Sequence, residues 1–126
     1  MIAAVSVWGV RWGAFGIRWA MNVAVVDPNG ELIAFGGMNG AQIASISIWE
    51  HKARVAARYR RSIKALEDGI QKFGFNYPMR LDGMIGSRGD IPLVEDGKLI
   101  GAIGCSGGTG SQDEATCTAA ASSINK

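Results

Sequence analysis

Residues 97–117, GKLIGAIGCSGGTGSQDEATC, read as a strand, a glycine loop and a capped helix without a gap. The run over 99–105 is apolar and interrupted only by glycines, and 106–110 are nearly all small. Backbone of that kind can turn sharply and come close to a neighbour or a ligand. Ser111 and Glu114 have the S-x-x-E spacing of a capping box, which predicts a helix running from 112 to about 124. Free amides at a helix start also favour anions. Here no Gly-Lys-Ser/Thr and no G-x-G-x-x-G accompanies the loop, and Asp113 and Glu114 already carry negative charge there. A tight turn that packs helix on sheet is the simpler meaning.

Working outward, Asp96-Gly97 between the apolar runs 91–94 and 99–105 predicts an antiparallel hairpin. A second is predicted where 21–27, MNVAVVD, meets Pro28-Asn29-Gly30 and continues into 32–35, because Asn-Gly tolerates the positive φ of a tight turn. Between the hairpins, helical periodicity over 42 to about 59 aligns Ala44, Ile48, His51, Val55 and Tyr59 on one stripe, with Glu50, Arg54 and Arg61 on another. Ser62 opens a further helical piece carrying Ile63, Leu66, Ile70 and Phe73, and Gly74 stops it. Residues 75–89 have turn chemistry and read as a surface loop near the entrance of a site. At the start of the chain, Trp8, Trp12, Phe15 and Trp19 share a face at 100° per residue, which predicts an amphipathic N-terminal helix within residues 1–20. Arg11 and Arg18 oppose reading that stretch as a signal or a membrane span.

With 126 residues, 48% hydrophobic and 19% charged, the chain is expected to form a single domain, 1–126. A formal charge of +2 points to neither a nucleic-acid nor a membrane partner. The two cysteines, Cys105 and Cys117, lack C-x-x-C spacing, so reduced buried thiols and a cytoplasmic location are expected, with no metal site.

His51, the sole histidine, lies on the apolar stripe, where an imidazole packs more often than it reacts, yet it is also the one side chain suited to moving a proton near neutral pH. Lys52, about 100° further round the helix, can line the edge of the same cleft, and Arg58 is placed to hold a carboxylate two turns on. The amides of 104–108 can stabilise developing negative charge. These residues suggest proton-transfer chemistry on a small acid, with His51 and Lys52 catalytic and Arg58, Asn39, Gly104, Ser106 and Gly107 binding substrate.

The order VAVVDPNGELIAF, MNGA, HKARVAA and IPLVEDGKLIGAIGCSGGTGSQDEATC resembles the GlcG/HbpS family, which includes the C-terminal domain of PduO proteins. The likeness covers 21 to about 121. It implies a profilin-like α/β (α+β) fold, an antiparallel sheet of about five strands flanked by helices, and it implies homo-oligomers. Family members have been linked to haem or corrinoid binding, and some relatives to transformations of small aromatic catabolites. Two functions therefore stand in view. The first is a cofactor-independent lyase or deaminase acting on a small aromatic acid, arylhydroxylamine or enamine in bacterial catabolism; the second, which the resemblance implies, is a haem- or corrinoid-binding carrier or sensor in which His51 would supply one axial ligand and Met38, Lys52 or a tyrosine would complete the site. This sequence departs from the family pattern in its tryptophan- and glycine-rich first twenty residues, in Asn39 where aspartate is usual, and in the W-E-H before Lys52.

Overall fold

The computed structural model describes residues 19–74, 87–122 and 124–125. In chain order they form β1 (Asn22–Val26), β2 (Leu32–Gly37), α1 (Ser45–Tyr59), α2 (Lys64–Phe73), β3 (Asp90–Glu95), β4 (Lys98–Ser106) and α3 (Gly110–Ala121). The strands make one sheet in the order β2-β1-β4-β3, antiparallel throughout. The described residues thus hold four of the roughly five strands expected. The predicted N-terminal helix lies outside the described residues except at Trp19 and Ala20, as does most of the predicted entrance loop.

Both hairpins form as their turn residues require. Asp27 Oδ1 accepts from the amides of Asn29 (2.8 Å) and Glu31 (3.0 Å), and Gly30 takes φ +88°. Asp96 (φ +50°) and Gly97 (φ +75°) supply the paired positive φ of a type I′ turn. The ends of the sheet differ. On β3, Pro92 withholds a donor while Asn125 takes the Val94 amide (2.7 Å) and donates to the Pro92 carbonyl (2.8 Å), which blunts that edge. On β2, Leu32, Ile33 and Phe35 are each about half exposed.

Alternation along β1 builds two cores. Val23 and Val25 face Leu93, Ile103, Cys105, Cys117, Ala120 and Ala121 on the α3 side. Ala24 and Val26 face Trp49, Ala53, Ala56, Ala57 and Ala102 under α1. Alanine against alanine lets α1 sit directly on the sheet, and Gly104 is where the approach is tightest. A Cβ there would run into the Trp49 carbonyl and stand 2.7 Å from the Ala53 amide nitrogen. Gly104, expected at a binding surface, is instead a contact between backbones, because α1 covers the middle of β4.

Two further expectations change. The N-cap of α3 is Thr109, with Gln112 completing the capping box, and the helix ends at Ala121. The segment TGSQDE holds overlapping T-x-x-Q and S-x-x-E patterns, and choosing the earlier frees Glu114 for Arg88 (3.2 Å). The cysteines are joined as a disulfide between β4 and α3, with Cα atoms 5.9 Å apart, not held as free thiols. The glycine turn folds α3 back over the strand it leaves, so residues 12 apart in sequence become neighbours. Disulfides persist chiefly in oxidising compartments, so the cytoplasmic expectation loses the support it drew from reduced thiols. Among the described residues no helix is long and apolar enough to cross a membrane.

Candidate functional site

A pocket of about 250 Å³ opens where the glycine turn meets α1. Ser106, Gly107 and Gly108 form one wall, Ile48 and Gln42 another, Ser87 the rim, and Lys52 with Asp113 the floor. Of the residues expected at a site, Lys52, Ser106 and Gly107 therefore meet here, whereas His51, next to Lys52 in α1, is not among the lining residues.

Lys52 is 1% exposed. Its Nζ donates to Asp113 Oδ2 (2.8 Å), the Arg88 carbonyl (2.9 Å) and the Cys105 carbonyl (3.2 Å). An ammonium has three protons, and all three are engaged. Asp113 turns its other oxygen to the Gly108 amide (3.0 Å), so one carboxylate balances the lysine and holds the glycine wall. Gly89, at φ +122°, passes so close that a Cβ would lie 2.6 Å from Asp113 Cβ and 3.0 Å from Lys52 Nζ. The amine expected to react or to hold a carboxylate is, in this structure, paired with Asp113 and two backbone carbonyls.

Several amides around the loop are similarly engaged. Gly108 donates to Asp113, Thr109 to Gln112 Oε1 (2.9 Å), and Cys105 to the Gly89 carbonyl (2.7 Å). Arg58 lies at the far end of α1, where its Nε donates to the Asn29 carbonyl (3.3 Å) and secures the first hairpin. Arg54 does the same at the Gly30 carbonyl (3.2 Å) while pairing with Glu50 (2.7 Å). Asn39 is exposed in the turn before α1 and does not line the pocket, which Gln42 reaches instead.

His51 is half-buried, and its Nδ1 lies 2.7 Å from the Ser47 carbonyl one turn earlier. A carbonyl only accepts, so Nδ1 carries the proton and Nε2 of the neutral ring keeps its lone pair. An imidazole held through one nitrogen by a backbone carbonyl has the arrangement found around metal-ligating histidines.

Sequence reasoning missed the surroundings of this floor. Arg88 joins three carboxylates, Glu67 (2.7 Å), Asp68 (2.6 Å) and Glu114 (3.2 Å), and so ties α2 to α3 just behind Ser87. The Glu67 carboxylate beside it holds the guanidinium above its ordinary range, and the Lys64 ammonium (3.0 Å) holds the Asp68 carboxyl below its own. Asp90 is fully buried and receives the Ile63 amide (2.9 and 3.1 Å) and the Ser62 hydroxyl (3.1 Å) at the start of α2. Burial pushes its carboxyl up to about 7 against the pull of those donors. Among the described residues no group of three or more His, Cys, Asp or Glu side chains gathers as a metal site.

Known proteins resemble the chain along nearly its whole length. Residues 11–122 match the family described as haem degrading protein HbpS-like. Protein GlcG of Escherichia coli (strain K12) is 35% identical over 89 residues, 71% of this chain and 66% of GlcG, so the matched region spans just under two thirds of that relative. The crystal structure of a PduOC:heme complex superposes with a TM-score of 0.86 over 98% of this chain and 92% of that one, at 24% identity. A double mutant of Streptomyces reticuli HbpS superposes at 0.87 over 99% and 85%, at 22% identity. Both likenesses concern the fold, an antiparallel sheet flanked by helices. By the extent of the family match together with the relationship to GlcG, the chain belongs to the HbpS-like family.

Proposed function

We propose that this protein binds haem through Nε2 of His51, as a carrier or sensor module. The observation that carries the reading is the 2.7 Å bond from Nδ1 to the Ser47 carbonyl, which orients the only imidazole in the chain and leaves its second nitrogen as a donor to iron. The family is described by haem degradation and PduOC forms a complex with haem, and both are consistent with this donor. The pocket, at about 250 Å³, lies below the ~300–1,000 Å³ usual for small-molecule sites and is too small to enclose a whole macrocycle. Bound haem would supply an iron centre with a further position for an exogenous ligand. The chain's part is to hold the imidazole in one tautomer and to keep Lys52 occupied elsewhere. Self-association fits the same reading, since the exposed Leu32, Ile33 and Phe35 on β2 offer a partner an apolar edge.

The alternative, a cofactor-independent lyase or deaminase on a small aromatic acid, draws on the same histidine. It needs a carboxylate-binding cation and free amides beside that histidine; here Lys52 and the amides of Cys105, Gly108 and Thr109 are bonded within the fold, and Arg58 sits at the far end of α1 beside the first hairpin. Titrating purified protein with haemin tests the proposal. Saturable binding with a Soret band that His51→Ala abolishes is expected. Binding unchanged in His51→Ala removes the proposed ligand, and a colourless protein whose turnover of small aromatic acids needs His51 establishes the alternative.

A further inference from the structure

The cysteine pair lies where its oxidation state can govern the pocket. Cys105 is the last residue of β4 before the wall formed by Ser106, Gly107 and Gly108, and its carbonyl is one of the three acceptors of Lys52. Cys117 is one turn after Asp113 on α3, the residue that holds both Lys52 and the Gly108 amide. The covalent bond between them closes a loop that contains the whole glycine wall and the first turns of α3.

What else fastens α3 is slight in apolar terms. Its buried residues are Asp113, Thr116, Cys117, Ala120 and Ala121, none with a large hydrocarbon side chain. Alanine buries one methyl group, so the helix gains little from burial alone. Beyond the packing of Ala120 and Ala121 in the core, the links that fix it are the disulfide, the Lys52 to Asp113 pair and the Arg88 to Glu114 contact.

We propose that the Cys105–Cys117 bond is a redox-reversible clasp that fixes α3, and with it the glycine wall of the pocket, to β4. The co-reactant is a dithiol. One of its sulfurs, as thiolate, attacks a protein sulfur and the other cysteine leaves as thiolate; the second dithiol sulfur then attacks the first within the mixed disulfide, and the remaining cysteine leaves in turn. Two electrons pass to the protein, each cysteine sulfur ends with a proton from the dithiol, and the dithiol leaves as its own disulfide. Both cysteines are fully buried, so α3 must open locally before exchange. The Gly89 carbonyl lies 3.5 Å from Cys117 Sγ and offers the new thiol an acceptor, so the reduced form has a place for the group it creates.

This inference does not depend on haem, and its test reads the protein alone. Intact mass under non-reducing conditions establishes the bond, and amide hydrogen exchange by NMR is then compared before and after dithiothreitol. The clasp predicts a gain of two hydrogens on reduction and at least tenfold faster exchange at Gly108 and through α3, with the β1 and β4 amides of Val25 and Ile103 unchanged. Cys105→Ala/Cys117→Ala should exchange like the reduced wild type and ignore the reductant. Two free thiols in air-oxidised protein, identical exchange in both states, or equal acceleration over the whole sheet would each overturn the proposal, the last because the bond would then hold up the entire fold.

Discussion

Lys52 and His51 leave α1 about 100° apart, and that rotation divides the helix into a side that is fully bonded and a side with a nitrogen to give. Toward the sheet, Lys52 delivers every proton to oxygens of other elements, and the alanines around it bring α1 onto β4 at Gly104. On the outer side, His51 is held by its own helix through a single contact. Two adjacent basic residues therefore differ in what they do. One joins α1, β4 and α3, and the other is positioned without being consumed.

The sheet-facing side is broken most severely by Gly104→Ala. The added methyl would displace the Trp49 carbonyl, and denaturant unfolding should show a loss above about 4 kcal/mol, or no folded protein. Lys52→Met leaves the buried Asp113 carboxylate without its cation and should cost about 3–5 kcal/mol, while Lys52→Met/Asp113→Leu should recover part of that loss. A double variant no more stable than the single one would mean that the Asp113 bond to Gly108, and not the ion pair, dominates.

The Asp90 carboxyl gives a pH signature to the same side. Raised by burial to about 7 when folded, against 3.8 ordinarily, it binds a proton in the folded state that the unfolded chain has already lost. Its contribution is full below pH ~3.8 and is lost as pH rises through about 7, an effect on the order of 1–4 kcal/mol. Asp90→Asn keeps an acceptor for the Ile63 amide and should flatten the stability profile between pH 4 and 7; a profile as steep as wild type would place the titrating group elsewhere. The outer side should behave oppositely. His51→Ala removes one partly exposed hydrogen bond, so its unfolding free energy should change by no more than about 1 kcal/mol although haemin binding is lost.

These contrasts follow how far apart in sequence the interacting groups lie. Both hairpins were legible because Asn29-Gly30 and Asp96-Gly97 encode their turns locally. The helices followed from periodicity, and the α3 cap moved only between two overlapping local patterns. The Ser47 to His51 bond spans one helical turn and was within reach of spacing alone. Lys52 and Asp113 are 61 residues apart, and nothing in either segment announces that one will neutralise the other. Cys105 and Cys117 lie closer, but their pairing depends on the direction in which the glycine turn sends α3. Apolar spacing located the pocket's neighbourhood; the chemistry of its floor emerged only after distant segments met.

Because the chain has a single histidine, nitrogen-15 NMR of the imidazole tests the central claim directly. The neutral form of the ring is expected to carry its proton at Nδ1, with the Nε2 resonance strongly shifted or broadened by iron on addition of haemin. A neutral ring protonated at Nε2, or an Nε2 signal indifferent to haemin, would contradict the claim.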